Sequence, residues 1–457
     1  MRRRLGLAAA TLVALPILLA GPSPTAAASV TFETPRVSST FGVSIVFDQP
    51  VRLARAPKRA EVLLYFPGSL GAEANEVPIS NGLTQALRYQ LDLSQTSLKP
   101  NTRIEARWRL TFGDGTAETG PQVSVLYADT RFDWKTRSGA IVRVHWYKGT
   151  AAFGERALAI GEKAVDDASK LLGVAVQEPV DFFVYADQKP FYDALGPGTR
   201  ENVGGQAVAS IRTLFALITP GEINAGWVGI VIPHELTHLV FNTAVDNPYH
   251  FPPRWLNEGL AVYLSQGYDA GDRSQVEGAA RDGSIIPLDG LTGEFPATGD
   301  RFSLAYAESV SAVDFMVRKY SKAALVSLIR SYATGVTDDE AFRAALGVDT
   351  GAFDDAWLAQ LGTKAPPKVG PVSAPAGPLP TGWSGPANAG NPPAPGSTAQ
   401  SAPRVTAAPN APSNSPTSAT DRSLGVVLGL ILVLIAVAAI AWLLRRSVSA
   451  RPSGPAS

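Results

Sequence analysis

The chain has 457 residues and balances 40 Lys+Arg against 40 Asp+Glu, so it carries neither the basic field that grips a phosphate backbone nor a strongly acidic one. Nucleic acid is therefore not expected as a partner. Cysteine is absent, which excludes disulfides, thiolate-held metals and a thiol nucleophile, and leaves His, Asp and Glu as the only strong metal ligands.

The N-terminus reads Met1-Arg2-Arg3-Arg4, then an apolar run from Leu5 to Ala20, then Gly21-Pro22 and the small residues Ala26-Ala27-Ala28. A positive start, a short apolar run and a small-residue cleavage site predict a secretory signal peptide over residues 1–28.

Residues 29–128 carry short strand-like runs: Val43–Phe47, Glu61–Phe66 and Leu87–Leu93. Ile104, Ala106, Trp108, Leu110 and Phe112 alternate strictly, the period of a half-buried strand, and Gly113-Asp114-Gly115 marks a turn after them. Short strands at this spacing predict a β-sandwich of immunoglobulin-like or fibronectin-like type.

Residues 129–362 change character. Phe132–Trp134 and Ile141–Tyr147 read as a hairpin turning at Ser138-Gly139. A helical period covers 151–172, a strand covers Val180–Tyr185, and Gln206–Ile218 reads as one further strand. Helices are predicted at 223–243, 254–266, 303–320, 322–334, 338–346 and 351–361. Strands first and helices later give an α+β domain.

Residues 363–421 are rich in Pro, Ala, Ser, Gly and Asn, with too few apolar groups to offset chain entropy, and predict a disordered linker. Leu424–Leu444 is free of charge and, at about 1.5 Å per residue, reaches about 31 Å, enough to span a membrane as a helix. Arg445 and Arg446 follow at once. Positive residues stay on the cytoplasmic side. The tail 445–457 is thus expected inside and the body of the chain outside, anchored by one span.

The chain holds 4 histidines, and two of them form His234-Glu235-Leu236-Thr237-His238, the HExxH pattern. On a helix, positions i and i+4 share a face, so both imidazoles can meet one metal ion, while Glu235 can reach a water beside it. A carboxylate there can take the proton of the water and return it to a leaving amine. A catalytic zinc usually has three protein ligands. Glu258, at the start of the next helical pattern in Arg254-Trp255-Leu256-Asn257-Glu258-Gly259, is the candidate third. The intervening Asp246, Asn247, Pro248, Pro252 and Pro253 predict a loop that folds this helix back on the first. Pro233 means that the first helix either starts there or bends at the metal.

His234-Glu235-Leu236-Thr237-His238 followed by Asn257-Glu258-Gly259-Leu260-Ala261 resembles the gluzincin metallopeptidases, the thermolysin-like clan, and within it the bacterial peptidase MA-like domains. Arg131–Trp134, His145-Trp146-Tyr147 and Ala305–Ser309 fit the same group. The resemblance implies one zinc ion on His234, His238 and Glu258, with Glu235 as catalytic base and a peptide or protein as substrate. It also implies an antiparallel edge strand along the cleft, assigned to Gln206–Ile211, with which an extended peptide could pair. Such enzymes add a downstream Tyr or His that stabilises the oxyanion; Tyr306 is the candidate here, and Tyr263 lies off the face of Glu258. His250 reads as a loop residue and His145 as structural. The leading expectation is a membrane-anchored extracytoplasmic zinc peptidase. The alternative is a cell-surface binding or adhesion protein with a peptidase-like scaffold.

Overall fold

The computed structural model describes residues 30–94, 96, 98–196, 204–247, 250–296 and 298–365. The predicted signal peptide, the linker beyond residue 365, the span at 424–444 and the tail 445–457 lie outside the described residues. Among the described residues, no helix is long and apolar enough to cross a membrane. The chain divides into two compact units, one ending at Asp129 and the other beginning at Thr130.

The first unit is built from β1 (Val30–Phe32), β2 (Arg36–Thr40), β3 (Ser44–Leu53), β4 (Arg59–Tyr65), β5 (Glu73–Val77), β6 (Thr84–Asp92), β7 (Thr102–Thr111), β8 (Ala117–Thr119) and β9 (Val123–Tyr127). Two antiparallel sheets form. In one, β3 pairs with β1, β2 and β6; in the other, β7 pairs with β4, β8 and β9, and β4 with β5. Alternation explains the packing: Ile104, Ala106, Trp108 and Leu110 of β7 face inward, and Ile45, Phe47 and Val51 of β3 belong to the same core. The short strands β1, β2, β5, β8 and β9 are not among the strand-like runs expected from the sequence.

The second unit opens with β10 (Lys135–Ser138) and β11 (Val142–Trp146), then α1 (Ala151–Leu172), β12 (Val180–Tyr185), α2 (Gln188–Leu195), β13 (Gly205–Val208) and β14 (Thr213–Leu217). Phe132, Asp133 and Trp134, read from sequence as part of the hairpin, lie before β10 and outside any strand. Trp134 instead packs edge-on against Tyr147, Phe183 and Tyr185. The predicted single strand from Gln206 to Ile218 is two strands. A short 3-10 turn at Ala209–Ile211 and the left-handed Arg212 (φ 51°) reverse the chain, so that β13 returns antiparallel to β14.

The sheet order is β10-β11-β12-β14-β13, which leaves β13 at an edge. β11, β12 and β14 are parallel, whereas β10 and β13 pair antiparallel. α1 ends where Gly173 takes the left-handed conformation and caps Ser169 with its N–H.

The remaining α-helices among the described residues of this unit are α3 (Val228–Val245), α4 (Arg254–Ser265), α5 (Ala270–Asp282), α6 (Gly299–Lys319), α7 (Lys322–Ser331), α8 (Asp338–Leu346) and α9 (Thr350–Gln360). α2 and α5 are not among the helices expected from the sequence. α3 is apolar on nearly every side and is buried accordingly, packed between α1, α4 and β13. It begins at Val228, so Pro233 lies inside it and the helix does not start at the proline. Pro233 cannot donate to the carbonyl of Gly229, and its own carbonyl accepts from the Thr237 hydroxyl at 2.8 Å as well as lying in the helical ladder.

Candidate metal and catalytic site

His234 and His238 project from the same face of α3, with ring centroids 4.9 Å apart. Glu258 reaches them from the first turns of α4, its Oε2 lying 3.5 Å from each Nε2. All three side chains are buried, and one ligand atom from each lies within 4.8 Å of the others. Although close, the three atoms form no hydrogen bonds: His234 Nε2, His238 Nε2 and Glu258 Oε2 are all without a partner. Three buried polar atoms that converge without satisfying one another are costly unless something else fills the space.

The imidazole of His238 is oriented from behind. Its Nδ1 lies 3.0 Å from Asn257 Oδ1 in a buried contact. An amide oxygen only accepts, so Nδ1 carries a proton and Nε2 is the nitrogen that faces the centre, offering its lone pair when the ring is neutral. Asn257 is adjacent to Glu258, so one helix turn supplies both a candidate ligand and the group that sets a tautomer. The sequence reading quoted Asn257 in the motif without giving it this task.

α4 can bring Glu258 this close because of Gly259. A Cβ at that position would overlap the Ser309 carbonyl of α6. The glycine lets the two helix backbones touch, and this contact seats the α4 face that carries Glu258.

Glu235, the residue after the first histidine, is 1% exposed. Its Oε2 accepts a 3.0 Å hydrogen bond from the Ala207 amide on β13. This ties the carboxylate to the edge strand, at a position where β13 has no further strand to pair with. The edge is confined to Gly205–Val208 and does not reach Ile211.

Charge and burial set the proton affinities. Burial pushes the Glu235 carboxyl above its ordinary range, although His238, His234 and the Ala207 amide pull the other way. Burial alone would lower His238, but Glu258, with Glu235 and Asn257, outweighs it and raises the imidazole to about 9. The same attraction, reinforced by Arg254, overcomes the burial of Glu258 and holds it well below the usual carboxylate range.

Tyr306, on α6, stands beside the cluster with its ring centroid 6.3 Å from that of His234. It is packed edge-on against Phe295 and Phe302, and its hydroxyl is buried without a hydrogen-bond partner. Burial and the charge of Glu258 raise its pKa well above the ordinary value, so it stays a neutral donor. Tyr263, further along α4, is only half-buried and senses Asp314 instead. The other two histidines are engaged elsewhere. His250 meets Asp338 at 3.1 Å, and His145 lies 2.8 Å from Asp181 and 2.9 Å from Thr136.

Residues 161–363 match the model of the Peptidase MA superfamily, a region that begins within α1 and takes in α3, α4 and α6. No curated protein matches the sequence. Among solved structures, the chain is similar to an M1 zinc metallopeptidase from Deinococcus radiodurans, at 15% identity over 72% of this chain and 92% of that one, with a TM-score of 0.35. It is also similar to an aminopeptidase N family protein from Idiomarina loihiensis, at 11% identity over 72% of this chain and 73% of that one, with a TM-score of 0.34.

Proposed function

With its region 161–363 matching the Peptidase MA superfamily, we propose that the chain is a zinc-dependent peptidase. The observation that carries the reading is the convergence of His234 Nε2, His238 Nε2 and Glu258 Oε2, buried and unpartnered around one point. Two imidazoles and a carboxylate are the donor set of a catalytic zinc with an open position. These three residues would hold the ion. When bound, zinc polarises a peptide carbonyl and makes a water more acidic.

The remaining steps belong to side chains of this protein. Glu235 takes the proton of the attacking water and delivers it to the leaving amine. Its raised proton affinity suits a group that must do both near neutral pH. Tyr306 donates its hydroxyl to the oxygen that becomes negative as water adds. The outer edge of β13, apart from the Ala207 amide that Glu235 holds, can pair with an extended peptide backbone and align the bond to be cut.

Export and anchoring belong to the same proposal. They rest on the apolar runs Leu5–Ala20 and Leu424–Leu444 and on the arginines that flank them. The immunoglobulin-like or fibronectin-like character of the front unit is likewise our reading, supported by two antiparallel sheets around one core.

The test is metal content and proteolysis of an unfolded protein by the full chain, with and without a chelator. We expect stoichiometric zinc, loss of zinc in Glu258→Ala, and at least a 100-fold lower rate in Glu235→Gln with zinc retained. Cleavage that survives both chelation and Glu235→Gln removes the proposal.

A further inference from the structure

Residues of α4, α8 and α9 and of the segment around Leu288 line a cavity of about 610 Å³ in the second unit. Its lining is more apolar than polar, and the half-buried Pro287 contributes to it. Four carboxylates also line it, those of Asp289, Asp338, Asp354 and Asp355. No Lys, Arg or His does so among the described residues. Asp338 accepts from the Tyr332 hydroxyl at 2.7 Å, and Asp354 accepts from the Leu288 amide at 3.2 Å. Asp289 and Asp355 stand exposed to solvent.

The chain itself leads into this cavity. After α9 the left-handed Gly362 (φ 74°) turns the backbone, and Ala365, the last of the described residues, forms part of the cavity wall. From there the sequence runs Pro366-Pro367-Lys368-Val369-Gly370-Pro371. Proline fixes its own φ and bars the α region to the residue before it, so a Pro-Pro pair favours the extended polyproline II form. That form rises about 3.1 Å per residue, which puts Lys368 about 9 Å beyond Ala365. Between Pro366 and Thr420, Lys368 and Arg404 are the only charged residues. One of the two thus falls within reach of a wall of carboxylates.

We propose that residues 366–371 dock in this cavity, with the prolines against its apolar wall and the Lys368 ammonium on the carboxylates of Asp289 and Asp355. Pro-rich segments bind apolar grooves in this way because their extended form is set before they bind. The docked segment lies against Pro253 and Trp255, at the start of the helix that carries Glu258, and the free linker begins only beyond it. An exposed ion pair contributes little by itself. The tether supplies the rest. A short connection gives an effective concentration on the order of 1 mM, so an affinity of about 0.1 mM keeps the segment bound about nine-tenths of the time. The inference does not depend on the peptidase reading.

The experiment compares two tryptic sites in one molecule. Lys368 and Arg404 each follow a proline and precede a valine, so their immediate surroundings match. Initial rates of cleavage after each are measured by mass spectrometry on the full chain. They are divided by the rates for synthetic peptides of residues 362–374 and 398–410. After this correction, Lys368 is expected to be cut at least tenfold more slowly than Arg404. Asp289→Asn combined with Asp355→Asn should raise the Lys368 rate at least fivefold, with Arg404 unchanged. Asp355→Asn alone, an isosteric change at an exposed position of α9, should raise it at least twofold.

Equal corrected rates at the two sites in the parent overturn the proposal. Slow cleavage at Lys368 that neither Asn variant relieves also overturns it, since the folded unit then only shades the site from trypsin. Protection that fades on tenfold dilution of the chain would seat the segment in a second copy and overturn the intramolecular form. Circular dichroism of each variant checks that the fold is kept.

Discussion

The amide of Ala207 donates to Glu235 Oε2 at 3.0 Å, joining the edge of the sheet to the residue that follows the first histidine. Ala207 is paired with Leu214 of β14, yet its N–H points away from that strand, so the bond to Glu235 takes nothing from the ladder. Proline is tolerated on an edge strand where the N–H faces outward. Ala207→Pro should therefore keep the fold and the zinc while releasing the carboxylate. A hydrogen bond to a charged group is worth about 1.5–3 kcal/mol, which corresponds to a roughly 10- to 100-fold fall in kcat/KM. Unchanged kcat/KM with a folded, metal-loaded variant would show that the contact plays no part.

Asn257 fixes the tautomer of His238 and so the lone pair offered at Nε2. Groups of this kind typically contribute about 10- to 100-fold in metal affinity. Asn257→Ala should weaken zinc binding by that factor in competition with a chromophoric chelator. Asn257→Asp, which keeps the acceptor, should recover most of it. Equal affinity for the parent and the alanine variant would count against the orienting role.

Gly259 holds α4 against the Ser309 carbonyl of α6. Gly259→Ala forces the helices apart, and overpacking of this sort costs about 1–3 kcal/mol. Because Glu258 sits on the same turn, the separation should also be read at the metal. A lower melting temperature accompanied by weaker zinc binding is expected. Destabilisation with zinc affinity intact would mean that the strain is absorbed before it reaches Glu258.

Glu308 on α6 is fully buried, with Oε1 accepting from the Ile286 amide at 3.0 Å and Oε2 without a partner. Burial pushes its carboxyl up to about 8, against an unfolded value near 4.5. The folded state therefore holds a proton that the unfolded chain has released across this window. Stability from this group is complete below about 4.5 and falls as pH rises toward 8, by roughly 1.4 kcal/mol per pH unit. Glu308→Gln removes that slope. In urea unfolding, the variant should match the parent near pH 5 and exceed it near pH 8. Parallel pH dependences for the two proteins would contradict the assignment.

Much of the helical half of the second unit was legible in the sequence, because helical periodicity is local. The predicted 151–172 is α1, and 254–266 and 338–346 differ from α4 and α8 by at most one residue. The strand at Val180–Tyr185 was equally plain. The errors fell where pattern gives no punctuation. Gln206–Ile218 contains no glycine or proline to announce the reversal at Ala209–Arg212, so a hairpin read as one strand. Phe132 and Trp134 alternate like a strand but do so to fill an aromatic cluster with Tyr147 and Tyr185.

What the sequence alone determined is the chemistry carried on one helix. His234, Glu235 and His238 share a face because an α-helix repeats every 3.6 residues, and that geometry needs no tertiary contact. What only the tertiary structure decided is the set of relationships between distant segments. Glu258 and Asn257 meet the histidines because a glycine lets α4 pack onto α6, and Ala207 reaches Glu235 across 28 residues. Residue spacing constrains directions along a single element. It says nothing about where a second element comes to rest, since that depends on which side chains fit between them.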